Sequence, residues 1–184
     1  MKKLGKLSTK ELVTAAVFTA VTVVLAQISI PMPSNVPITL QTFAIALCGY
    51  ALGAKLGSIS VITYLLLGAI GAPVFSNFRG GIGMLFGYTG GFLFGFIPMA
   101  LLCGLAAHRK VYLALPIGVI GLAICHLLGV AQFSAISSRP FVDSFLLVSL
   151  PYLVKDIASV VAAYYLALAL RRAIPLISGR KTVS

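Results

Sequence analysis

Apolar runs about as long as a bilayer is thick, separated by short polar connections, fill almost the whole chain. They lie at roughly 10–30, 38–54, 56–71, 84–107, 111–135 and 144–172. Around 20 apolar residues in a helix cover the hydrocarbon layer, so the pattern predicts a bundle of six transmembrane helices. An even number of crossings puts both termini on one side. Pro31, Pro33 and Pro37 fill the first outer connection, where fixed φ values stiffen a short turn. Lys55 marks a very tight inner turn between spans two and three, and Pro151 predicts a kink in an overlong last span.

Small residues mark where helices approach. Nine of the 18 glycines fall between Gly68 and Gly95. Gly80, Gly81 and Gly83 belong to an outer loop over 72–83, either a lid over a pocket or a passive connection. Gly87, Gly91 and Gly95 repeat every fourth residue, a smooth ridge for a neighbouring helix. Span one carries Ala15, Ala16, Thr19 and Ala20, for which a packing face inside the bundle is the default reading. If Ala16 and Ala20 look outward, they form a docking surface for another membrane protein.

Composition changes the picture from helical to membrane-embedded. The 184 residues are 60% hydrophobic and 9% charged, against about 25% charged in soluble domains, and mean hydropathy is +1.09. The chain is an all-α integral membrane protein, read as one domain over 1–184. Its N-terminal lysines and apolar run resemble a signal peptide without a convincing cleavage site, so the run is read as a retained first span.

A formal charge of +11 raises nucleic acid as a partner, but the positions of the charges exclude it. Lys2, Lys3, Lys6, Lys10, Lys55, Arg109, Lys110, Arg171, Arg172, Arg180 and Lys181 edge alternate loops, and only Arg79 and Arg139 lie on the other set. This is the positive-inside pattern, with both termini cytoplasmic and anionic membrane lipid as the partner of the basic rim. Cys48, Cys103 and Cys125 have neither metal-ligand nor paired spacing and read as small core residues.

The three acidic residues are few enough that one inside a span is informative. Asp156 sits beside Lys155 in the last apolar run, and an intramembrane charge costs about 2.5–3.5 kcal/mol on insertion scales. Substrate, proton or ion handling is the functional reading, and a plain ion pair is the bland one. Adjacent helical residues point about 100° apart, so each charge is expected to reach a different partner.

Catalytic signatures are missing. His108 and His126 are not joined by H-E-x-x-H, and G-x-S-x-G and G-x-x-x-x-G-K-[ST] are absent, with Gly179–Thr182 only a fragment of the last. His126 with a distant serine would mimic an intramembrane hydrolase, but a buried histidine bonded to a carbonyl or hydroxyl is the simpler reading. The chain is read as no enzyme, needing no metal or cofactor. Without a P-loop or convincing inverted repeats, energy for uphill transport would come from a partner. The remaining polar groups, Gln41, Asn77, Arg79, Tyr88, Thr89, Tyr152, Lys155 and Asp156, are expected to converge near the outer side among Phe75, Phe78, Phe86 and Phe92. An apolar pocket with a few orienting polar groups is the usual anatomy of a small-molecule site.

Four stretches in order, Pro37-Ile38-Thr39-Leu40-Gln41-Thr42-Phe43, Gly71-Ala72-Pro73-Val74-Phe75, Gly87-Tyr88-Thr89-Gly90-Gly91-Phe92 and Pro151-Tyr152-Leu153-Val154-Lys155-Asp156, resemble the BioY family. The resemblance covers nearly the whole chain. It implies a biotin-binding S component of an energy-coupling-factor transporter, multi-pass in the bacterial cytoplasmic membrane, working with a transmembrane T component and two ABC-type ATPases. It implies biotin as transported ligand, with Asp156 accepting from the ureido N–H groups and Asn77 donating to the ureido oxygen. Lys155 or Arg79 would neutralise the carboxylate, with Gln41, Phe75, Tyr88, Thr89, Gly90 and Tyr152 around the ligand and Ala16 and Ala20 facing the T component. Tyr88 stands where the family usually has Pro, and Ser159 where a Lys often follows the Asp. An intramembrane hydrolase, another small-carboxylate transporter, and a channel or scaffold subunit are the competing readings.

Overall fold

The computed structural model describes residues 7–173. The charges Lys2, Lys3, Lys6, Arg180 and Lys181 and the Gly179–Thr182 fragment lie outside the described residues. Helix α1 (Thr9–Gln27) opens on a capping box, Ser8 accepting from the Glu11 N–H and Glu11 from the Ser8 N–H. A two-residue antiparallel pair, β1 (Ser29–Ile30) and β2 (Ile38–Thr39), clamps the base of the proline-rich loop. Then follow α2 (Gln41–Ala69), two short 3-10 turns, α3 (Gly90–Ala106), α4 (Val111–Ser137), α5 (Phe141–Val148) and α6 (Leu150–Ala173). Helices α1, α2, α4 and α6 are long and apolar enough to cross a membrane, and α3 is a shorter apolar helix.

Helix α2 is two arms folded back on each other. Gly53 has φ 78° and ψ 173°, a backbone open to glycine and strained for other residues. The arms run antiparallel: Gln41 Nε2 donates to Tyr64 Oη at 2.7 Å, and Cys48 Sγ lies 3.8 Å from Ser60 Oγ. The turn expected at Lys55 is thus real, centred two residues earlier. Close approach continues at Gly104, where an added Cβ would collide with the backbone of Ala54 and lie 2.6 Å from the Gly53 carbonyl carbon.

Two expectations change. The last apolar run is not one kinked helix, because α5 ends and α6 begins at Ser149 (φ −126°, ψ −58°). Proline lacks the N–H and crowds the carbonyl four residues back, so a break just ahead of Pro151 puts it in the first turn of α6, where no N–H is needed. The glycine ridge is also shorter than its sequence spacing. Gly87 precedes α3, whereas Gly91 and Gly95 meet α4 at Leu128 and Cys125.

Helix α1 packs on α2 through polar contacts: Thr19 Oγ1 donates to the Ser60 carbonyl at 3.0 Å, and Ser60 Oγ to that of Ala15 at 3.1 Å. Ala15 and Thr19 are buried, but Ala16 and Ala20 are exposed beside Leu12, Val13, Val17 and Val24. The default internal face is therefore corrected: one residue of rotation separates the packed face from an outward apolar one.

Candidate ligand-binding cavity

A cavity holding about 610 Å³ of empty space, its open mouth included, lies between α2, α3, α4 and α6 beneath the proline-rich loop. Val36, Pro37 and Thr39 form its roof, Phe75, Met84, Phe92, Leu93 and Phe96 its apolar walls, and Gln41, Thr89, His126, Tyr152, Lys155 and Asp156 its polar points. Of the ten ligand residues expected from sequence, six meet here: Gln41, Phe75, Thr89, Tyr152, Lys155 and Asp156.

The others lie elsewhere. Asn77 and Arg79 line a neighbouring depression with Pro31, Met32, Asn35 and Pro37, and Pro37 is shared with the main cavity. Asn77 Oδ1 accepts from Ser29 Oγ at 2.9 Å, and its NH₂ has no hydrogen-bond partner among the described residues. Tyr88 turns away to pack against Phe133 with the rings tilted, centroids 5.5 Å apart, in a separate depression with Arg139. Gly90 sits so close to the Leu85 carbonyl and Gln132 that it serves the chain path and not the cavity wall. Phe78 and Phe86, expected around the pocket, are 72% and 70% exposed.

Asp156 is 4% exposed, and its carboxylate is held from two sides. Oδ2 lies 3.3 Å from His126 Nε2, and Oδ1 touches the Lys155 ammonium without accepting a well-aligned hydrogen bond. Lys155 Nζ also donates to the Thr39 carbonyl at 2.7 Å. The expectation that the neighbouring charges take different partners is half corrected. Each has a second partner, but the long lysine stem also folds back onto the carboxylate. Burial of a charge on these terms is tolerable because ion pairing and hydrogen bonding replace lost water.

Surrounding bonds hold the roof and walls. Tyr152 Oη donates to the Val36 carbonyl at 2.7 Å, so Tyr152 and Lys155, one turn apart on α6, both pin the roof loop. Thr39 Oγ1 donates to Gln41 Oε1 at 3.0 Å, which sets the Gln41 amide toward Tyr64. Tyr64 meets the edge of Phe75 at 5.5 Å. Gln27 was not singled out from sequence, yet its Nε2 donates to the Val74 and Phe75 carbonyls at 3.2 Å and its Oε1 accepts from the Phe78 N–H at 2.9 Å. Gln132 similarly donates to the Leu85 and Gly87 carbonyls at 2.9 Å. A polar amide in an apolar helix was the available signal for both, but their partners lie on loops that carry no pattern.

His126 Nδ1 lies 2.8 Å from Ser149 Oγ, so the histidine is bonded to a hydroxyl as the simpler reading expected. A serine, a histidine and an aspartate in a chain invite comparison with a hydrolytic triad. Ser149 is wholly buried and does not line the cavity, so no substrate carbonyl reaches its oxygen. No group of three metal-ligating side chains occurs among the described residues.

Known proteins align with this architecture. A protein of Thermotoga maritima described as biotin transporter BioY is 52% identical over 123 residues, covering 66% of this chain and 72% of its own. The biotin transporter BioY of Rhizobium etli is 32% identical over 190 residues, covering 95% of this chain and all of its own. The crystal structure of an S-component for biotin from an ECF-type ABC transporter superposes with a TM-score of 0.80 at 27% identity, covering 91% of this chain and 95% of that one. The BioY family model itself matches residues 1–176. With the motifs, the fold and the end-to-end matches in agreement, the chain belongs to the BioY family.

Proposed function

We propose that this protein is the biotin-capturing S component of an ECF-type importer, a multi-pass protein of the cytoplasmic membrane and not an enzyme. The observation that carries the chemistry is the buried Asp156 carboxylate with the Lys155 ammonium upon it, at the polar end of an aromatic-lined cavity. A cyclic urea presents an N–H donor beside a carbonyl acceptor. Asp156 Oδ1 can accept the N–H, and Lys155 has three donors, two of them engaged by Asp156 and Thr39, so the third suits the ureido oxygen. Phe75 and Phe92 pack on the thiophane ring and alkyl tail.

This moves Lys155 from the carboxylate to the ureido end. The valerate then runs past Pro37 toward Arg79, helped by the Asn77 amide, in the adjoining depression. Charge-assisted bonds of this kind are about twice as strong as neutral ones. Tyr152, Gln41 and Thr89 hold the roof and wall around the ligand.

The finer architecture belongs to the same proposal. Counting the arms of α2 separately gives six crossings. Lys10, Lys55, Arg109, Lys110, Arg171 and Arg172 lie at the end opposite the cavity, which supports cytoplasmic termini and an outward-facing binding site. The outward Ala16–Ala20 face is the surface for the T component, with two ATPases supplying energy that this chain has no P-loop to harvest.

Native mass spectrometry of the protein purified without added vitamin tests the reading. A retained mass equal to biotin, displaced by added biotin, is the expected result. A different retained small molecule, or none even after biotin is supplied, contradicts it.

A further inference from the structure

We propose that Ser149 and His126 form a positioning relay that decides which oxygen of Asp156 faces the ligand; the proposal rests on the biotin-binding reading. Both ring nitrogens of His126 are engaged within the protein, Nδ1 by Ser149 Oγ at 2.8 Å and Nε2 by Asp156 Oδ2 at 3.3 Å. A carboxylate only accepts, so Nε2 carries a proton. Nδ1 lies at hydrogen-bond distance from the Ser149 hydroxyl, which can donate to it or accept from it. The opposite tautomer would set a nitrogen lone pair against a carboxylate oxygen. His126 lines the cavity but has no nitrogen left for a ligand, so it acts through Asp156.

The backbone break between α5 and α6 is what supplies the serine. Ser149 is wholly buried, its N–H bonded to the Phe145 carbonyl and its own carbonyl accepting from the N–H groups of Tyr152 and Leu153. The hydroxyl is therefore left for the histidine. Phe92 closes another side of the imidazole edge-on, centroids 5.7 Å apart. With Oδ2 held by His126, Oδ1 is the oxygen that lacks a well-aligned hydrogen bond and is presented to the ureido group. Oδ1 already touches the Lys155 ammonium, and holding Oδ2 on His126 keeps the carboxylate from turning both oxygens toward Lys155, so Oδ1 keeps a lone pair for the ureido N–H.

A double-mutant cycle tests this, reading biotin affinity by calorimetry in detergent at ligand concentrations that saturate the weakest variant. Ser149→Ala should weaken binding about tenfold in the parent, the order expected for one buried hydrogen bond, and by less than about twofold on an Asp156→Asn background. His126→Phe, which keeps a ring and removes the donor, should show the same dependence on Asp156. Equal losses in both backgrounds, or no loss in the parent, overturn the relay, because a general packing defect does not depend on which group stands at 156. A parent chain that fails to bind biotin overturns the functional reading instead, and the relay with it.

Discussion

At the end carrying Gly53 and Lys55 the arms of α2 and α3 touch backbone to backbone, whereas at the opposite end α3 and α4 meet closely at Gly91 and Gly95 but loops and bulky side chains hold α2 and α6 apart around Asp156. The first end is built from Gly49, Gly53 and Gly104, where α2 and α3 meet without intervening side chains. Arg171 Nη1 lies 3.3 Å from His108 Nδ1 there, and the buried Tyr164 Oη reaches the Arg109 carbonyl at 3.4 Å. The second end uses irregular backbone, and several of its loop carbonyls accept from Gln27, Gln132, Tyr152 and Lys155. Irregular backbone at membrane depth is tolerated where it is buried in protein or lines a cavity. The closed end keeps the bundle together, and the open end is where a ligand can be held.

The comparison is broken most sharply by topology. The proposal puts the cavity end outside, so in a cysteine-free background Arg79→Cys should react with an impermeant maleimide on intact cells and Arg109→Cys should not. The reverse pattern would invert the molecule in the membrane. Next in size is the outward face of α1. Ala16→Trp should abolish co-purification with the T component and energised uptake while leaving biotin binding intact; unchanged uptake at normal expression would remove the docking role. Smallest is a change at the closed end, Gly104→Ala. Its Cβ meets the Ala54 backbone, so overpacking should lower stability by about 1–3 kcal/mol while biotin affinity changes little. Thermal unfolding with and without biotin separates these effects.

The membrane class, the apolar segments and the unusual position of Asp156 within one of them were legible because each rests on a local signal: hydropathy, segment length and the scarcity of acids. The family motifs added order along the chain. What was hidden depends on contacts between distant positions. His126 is one polar residue in an apolar run, and its partners are 23 and 30 residues away, on a backbone break whose position Pro151 only approximates. Tyr88 and Thr89 are neighbours, yet only Thr89 faces the cavity, because the chain still turns there before α3 begins. Ala16 and Ala20 could not be assigned inward or outward from spacing alone, since apolar residues surround α1 on every side.

Lys155 and Arg79 sharpen the picture of the open end. Lys155→Met should weaken biotin and biotin amide alike, because its ammonium serves the ureido end, whereas Arg79→Met should weaken biotin more than the amide. The opposite split would return Lys155 to the carboxylate. The central claim, that a single buried carboxylate organises vitamin recognition, is tested most directly by calorimetric titration of biotin into the purified parent and the Asp156→Asn variant. The account predicts tight binding by the parent and at least tenfold weaker binding by the variant, one decade for every 1.4 kcal/mol; equal affinity in the two would contradict it.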